Sequence, residues 1–280
     1  MENAQKSEVL SRLMASTISH EMVRPLSLLA VNKEYLWTRL GCDSPDADEK
    51  VKRSLDEIEL ARTHMERLWH NCVDLFACMH REVKPRREPV DLCEMLRVLQ
   101  QEGESIQRVS GVRLVVSLPK TPFCVITDGA MAERILLNLL SNALQLSEPG
   151  KEILLAMAQS PGGGACLSVQ DQCGGMSDRM IHTLCGQSEL TAEEPGWLYS
   201  GIGLHLCREM CILLEWTPEV QTDSQGTRIL LHIPAHRVEP DRQLLFRSGM
   251  QDAEITRREH LATARLELGS VLGLEEYWNK

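Results

Sequence analysis

Histidine, glutamate and proline stand close together in Ser16-Thr-Ile-Ser-His-Glu-Met-Val-Arg-Pro-Leu26, inside a run whose apolar residues have helical spacing. Leu10, Leu13, Met14, Ile18, Met22, Leu26, Leu29, Leu36 and Leu40 mostly return every three or four positions, as one buried stripe of a helix requires. His20 falls off that stripe, so its ring is expected to face solvent. Pro25 has no N–H to donate to the carbonyl of Glu21, which predicts a kink one turn after the histidine. A neutral imidazole is a nucleophile near pH 7, and the carboxylate of Glu21 can take or orient its proton. Taken alone, the stretch also fits a solvated His-Glu pair beside an incidental proline.

A second set of chemical groups lies far downstream. Asn138 and Asn142 are one helical turn apart and share a face, while Leu136, Leu137, Leu139 and Leu140 cover the others. Asp171 closes a strand-like run and is followed by Gln-Cys-Gly-Gly-Met176, a loop that lets backbone approach a ligand. Ser200-Gly-Ile-Gly-Leu204 opens a helix whose first N–H groups, freed by Gly201 and Gly203, can point at an anion.

The elements that must position these groups follow from periodicity and punctuation. Gly41-Cys-Asp-Ser-Pro-Asp-Ala-Asp48 interrupts the first helix. Val51, Leu55, Ile58, Met65, Leu68, Cys72, Leu75 and Met79 then resume a stripe, so residues 1–82 read as a helical hairpin. A lone hairpin buries such a stripe poorly, and pairing two into a four-helix bundle predicts a homodimer; packing on the downstream domain is the alternative. Arg81 to Pro89 reads as a charged, proline-broken linker. Over 90–236, Asp91 to Glu94 has the form of a capping box opening a helix to about Ser105. Strands are expected at 112–118, 123–127, 153–159, 165–170, 219–222 and 227–233. Helices are expected from Asp128 and from about Ser177 to Cys185, with a mobile loop over 186–200.

The 280 residues leave room for two domains with their own cores. Forty acidic against thirty basic residues argue against nucleic acid, which needs a concentrated positive field. No apolar run approaches the roughly 20 residues of a membrane span, and the first residues lack the apolar region of a signal peptide. A cytoplasmic protein with no membrane span is expected. Ten cysteines, with no Cys-x-x-Cys pair, read as reduced thiols.

Taken in order, these motifs resemble the catalytic core of bacterial two-component sensor histidine kinases, over roughly Leu10 to Pro234. Ser19 to Leu26 is similar to the family's H box, and Asn138 to Ala143 to its N box. Asp171 to Gly175 is similar to its G1 box and Gly201 to Leu204 to its G2 box, while Gly226-Thr227 matches the Gly-Thr before its final strand. The resemblance implies an α+β chain: a HisKA-like helical hairpin forming a dimeric four-helix bundle, then a GHKL or Bergerat-type α/β sandwich that binds ATP. It implies that Asn138, Asn142, Asp171, Gly175, Gly201, Gly203, Leu204 and Thr227 hold the nucleotide, with the two asparagine amides on Mg2+. A carboxylate at Asp171 suits the exocyclic amine of adenine and repels the carbonyl of guanine, so ATP is expected over GTP. His20 is the implied phosphoacceptor, assisted by Glu21, and the receiver domain of a response regulator is the implied partner.

Three departures from the family pattern bear on ATP: Cys173 for the first glycine of the G1 box, Gln145 where a lysine often follows the N box, and no Lys or Arg between Arg179 and Arg208. They define the alternative, a weak kinase or pseudokinase that acts as a histidine phosphotransfer or scaffold protein. Residues 237–280 lie outside the resemblance. Ile255, Leu261, Ala262 and Leu266 predict a modestly amphipathic helix that packs on its own ATP-binding domain or docks a separate sensory partner.

Overall fold

The computed structural model describes residues 26–42, 44, 48–120, 124–160, 164–186, 202–235 and Leu268. Helix α1 covers 26–39 and ends in a turn where Gly41 takes φ 63°. Helix α2, Glu49–Met79, starts at Asp48, whose side chain accepts the Lys50 N–H at 2.9 Å. On one of its faces Arg62 bridges Glu59 and Glu66, each at 2.7 Å.

Only part of the expected α2 stripe is buried. Leu55 and Leu75 are, whereas Ile58, Met65 and Met79 are exposed, and Thr63, Asn71 and Cys78 are buried instead. The cause is long-range: α2 packs against Ile202–Leu214, helix α6 of the following domain, and that contact selects which side of α2 loses solvent. Leu28, Val31, Tyr35 and Leu36 of α1 remain exposed.

Strand β1, Glu88–Asp91, lies where the sequence predicts a linker. It pairs antiparallel with β3, Cys124–Thr127, with Val90 opposite Val125. A two-stranded ribbon gives each strand an outer edge, where Pro89, lacking an N–H, is tolerated. Asp91 caps α3, Leu92–Ser110, accepting the N–H groups of Cys93 at 2.8 Å and Glu94 at 3.3 Å. Helix α3 runs past the expected end at Ser105 because Ile106 continues its buried face; it stops at Gly111, left-handed at φ 70°.

The main sheet has the order β2-β4-β5-β7-β6, built from Arg113–Ser117, Glu152–Gln159, Ala165–Gln170, Gly226–Ile233 and Thr217–Asp223. Strands β2 and β4 are parallel and the remaining pairs antiparallel. Helix α4, Gly129–Leu146, is capped by Asp128, and a short α5, Asp178–Cys185, by Ser177. Helix α6, Ile202–Leu214, packs on α4, α5 and β6. Ile153, Leu155, Leu167, Val169, Ile229 and Leu231 from the sheet join Ile135, Leu136, Leu139 and Leu206 from the helices in one core. The architecture is α+β, a helical N-terminal region followed by a sheet packed against helices. None of the described helices is long and apolar enough to cross a membrane.

Candidate functional site

Asp171 stands at the end of β5, next to the first residues of β7. Its N–H donates to the Thr227 carbonyl at 2.9 Å, and its Oδ1 accepts the N–H groups of Thr227 at 3.1 Å and Cys173 at 2.9 Å. A buried carboxylate held by two backbone donors is fixed in direction, and Oδ2 takes no part in either bond. Gly226 makes this approach feasible, because a Cβ there would collide with the Asp171 carbonyl oxygen.

The loop after Asp171 is tied to the β6–β7 end of the sheet. Thr222 Oγ1 accepts the Met176 N–H at 2.8 Å and lies 3.0 Å from Oγ1 of buried Thr227. Gly175 has φ 85°, and a Cβ on it would stand 2.6 Å from the Asp223 carbonyl oxygen, so backbone conformation and space both call for glycine. Cys173 is different. Among the described residues the only non-glycine residues with positive φ are Arg81 and Glu215, so Cys173 sits in ordinary backbone and needs no glycine. Its Sγ is 3.2 Å from Ser147 Oγ. Burial pushes the thiol above its usual pKa; the Ser147 hydrogen bond opposes this and the Asp171 carboxylate adds to it.

Although one turn apart on α4, Asn138 and Asn142 are in different environments. Asn142 is half-buried, and its amide has no hydrogen-bond partner among the described residues. Asn138 is 0 % exposed. Its Nδ2 donates to the Arg134 carbonyl at 2.9 Å and its Oδ1 accepts from Asn71 Nδ2 of α2 at 3.3 Å. Arg134 Nη2 donates to Asn71 Oδ1 at 3.0 Å and pairs with Asp74 at 3.2 Å. Arg67, also on α2, is pushed down to about 10 by burial first and by the Arg134 charge second. In this arrangement the Asn138 oxygen is used within the protein.

Gly203, in the first turn of α6, explains how α6 comes so near α4, since a Cβ there would be 3.2 Å from Asn138 Oδ1. Leu204 is buried in the core. His20, Glu21 and Gly201 lie outside the described residues, as does most of the expected loop over 186–200. A polar cleft of about 620 Å3 opens along Asp171, Thr227, Lys151, Gln221 and Arg228; Asn142 does not line it. Thr222 and Asn71 were not legible as site residues. Neither has a motif, and both act through partners distant in sequence.

Residues 127–237 match the family of histidine kinase-, DNA gyrase B- and HSP90-like ATPases. Residues 127–237 thus have the character of that ATPase family, and the curated relatives that match are histidine kinases and a sensor protein. The chain is 24% identical over 255 residues to the cell-division control histidine kinase PdhS of Brucella suis, a match covering 85% of this chain and 23% of that protein. It is 27% identical over 215 residues to the signal transduction histidine-protein kinase/phosphatase MprB of Mycobacterium avium, covering 75% of this chain and 39% of that one. The aerobic respiration control sensor protein ArcB of Escherichia coli is 29% identical over 139 residues, covering 49% and 17%. The chain thus spans less than half the length of these curated relatives. Full-length ShkA in complex with AMPPNP shares the fold with a TM-score of 0.62 at 17% identity, over 80% of this chain and 46% of that chain. The Acinetobacter baumannii histidine kinase AdeS does so with a TM-score of 0.50 at 17% identity, over 77% and 98%.

Proposed function

We propose that this chain is an ATP-dependent histidine autokinase that phosphorylates His20 and passes the phosphoryl group to an aspartate in the receiver domain of a response regulator. The observation that carries the reading is the Asp171–Thr227 pair: a buried carboxylate oriented by backbone beside glycines that other residues could not replace. The residues fit a nucleotide. Asp171 would accept the adenine amine, Thr227 would line the base, and Gly175 would bring backbone to the ligand. Gly201, Gly203 and Leu204 would present N–H groups near the start of α6 to phosphate oxygens. Of the two asparagines, Asn142 has the amide available for Mg2+ in this arrangement.

Bound Mg2+-ATP supplies a neutralised, transferable γ-phosphoryl group. A His20 ring nitrogen would form the new N–P bond, Glu21 would take the ring proton, and ADP would leave with the electrons of the broken P–O bond. The exposed apolar side chains Leu28, Val31, Tyr35 and Ile58 support pairing of two hairpins in a homodimer. A cytoplasmic location belongs to the same reading.

Incubation with γ-labelled ATP and Mg2+ tests it, the expected product being acid-labile, alkali-stable label on the protein. Enclosure of Asn138 favours a second reading, a weak kinase or pseudokinase that receives phosphate at His20 from a phosphorylated regulator. Label transferred from a phosphorylated receiver domain, but never from ATP, selects that reading.

A further inference from the structure

We infer that the Asn138 amide alternates between two partners, Asn71 of α2 and metal-bound phosphate, so that docking of α2 and full engagement of Mg2+-ATP exclude one another. This rests on the kinase reading above and concerns regulation of the same site. The contacts form a closed ring. Asn71 donates to Asn138, Asn138 donates to the Arg134 carbonyl, and the Arg134 guanidinium donates back to Asn71. Both ends of each amide are used, and Asn138 has no exposed surface through which a cation could reach it.

Asn71 is buried on a side of α2 that also buries Leu75 and Cys78, where an apolar residue would pack without needing a polar partner. Its placement opposite Asn138 couples the helical hairpin to the nucleotide helix. Gly203 closes the other side, its missing Cβ leaving Asn138 Oδ1 pressed toward α6. The ring is also opposed from within. At 3.3 Å its Asn71–Asn138 bond is long, and the Arg134 charge adds to burial in lowering the pKa of Arg67, on the same helix α2 as Asn71. Asp74, at the half-open margin, pairs with Arg134 at 3.2 Å. A clasp balanced in this way can be shifted by a ligand that prefers Asn138 free, and binding linkage makes the effect reciprocal.

The test compares ATP affinity with Mg2+ and with EDTA for the full chain, Asn71→Ala and Asp74→Ala. Asn71→Ala is expected to bind Mg2+-ATP about fivefold or more tightly, the lower end of usual coupling, with metal-free ATP affinity unchanged. Asp74→Ala, altered at a half-buried position, is expected to shift in the same direction by less. In the unaltered chain, Mg2+-ATP is expected to speed backbone hydrogen exchange over residues 67–78. Equal or weaker Mg2+-ATP binding by both variants, or unchanged exchange, overturns the clasp while leaving the kinase reading intact. An unaltered chain that binds no ATP in either condition overturns the kinase reading itself.

Discussion

Asp171 and Thr227 hold each other through paired backbone-directed bonds. The Asp171 N–H donates to the Thr227 carbonyl at 2.9 Å, and the Thr227 N–H donates to Asp171 Oδ1 at 3.1 Å. The strand end and the carboxylate are therefore positioned together, and a substitution that keeps one oxygen acceptor separates their two roles. Asp171→Asn is expected to retain the fold and to lose about 1.5–3 kcal/mol of ATP binding, the worth of a hydrogen bond to a charged group. Titration calorimetry with ATP, alongside a thermal melt, checks both halves; undiminished affinity would remove Asp171 from the adenine site.

His20→Gln is expected to abolish labelling from ATP while leaving ATP affinity unchanged. The proposed phosphoacceptor precedes α1 in sequence by several residues, whereas the proposed nucleotide residues follow β3. Persistent acid-labile label in the variant would place the phosphoacceptor elsewhere, and a collapse of ATP affinity would show that the region around His20 helps form the nucleotide site.

Cys173 tests the electrostatics of the G1 loop. Because burial raises its pKa, little thiolate is present at neutral pH, and alkylation is expected to be slower than that of a free thiol. The rate should climb as pH rises through the raised value, since thiolate is the reactive form. Mass-spectrometric alkylation rates at several pH values follow this directly, and fast modification at pH 7 contradicts it. Cys173→Gly is expected to bind ATP as the unaltered chain does, because the backbone there is not left-handed.

Leu268 is described as helical and 0 % exposed, and it belongs to the core of the ATPase domain. That contact places Leu268 itself against the domain. Leu268→Ala is expected to cost about 2–5 kcal/mol of stability, as for other fully buried leucines. Denaturant unfolding measures this, and a change below about 0.5 kcal/mol, typical of surface positions, would count against the packing.

Much of the domain was legible because its signals are local. Asp91, Asp128 and Ser177 each accept a backbone N–H within three residues, so their cap roles could be read from neighbouring residue types. Asp171 and Gly175 were readable for the same reason, a strand end followed by a loop that needs small residues. By contrast, β1 was hidden by Pro89, because only its pairing with β3 makes that segment a strand. Helical spacing places Asn138 and Asn142 on one face, and nothing in α4 distinguishes them. Tertiary structure does so: Asn71, 67 residues earlier, meets Asn138 and leaves Asn142 without a partner among the described residues. Periodicity within one helix shows which side chains share a face, whereas the neighbours packed against that face decide which of them keeps its hydrogen bonds for a ligand.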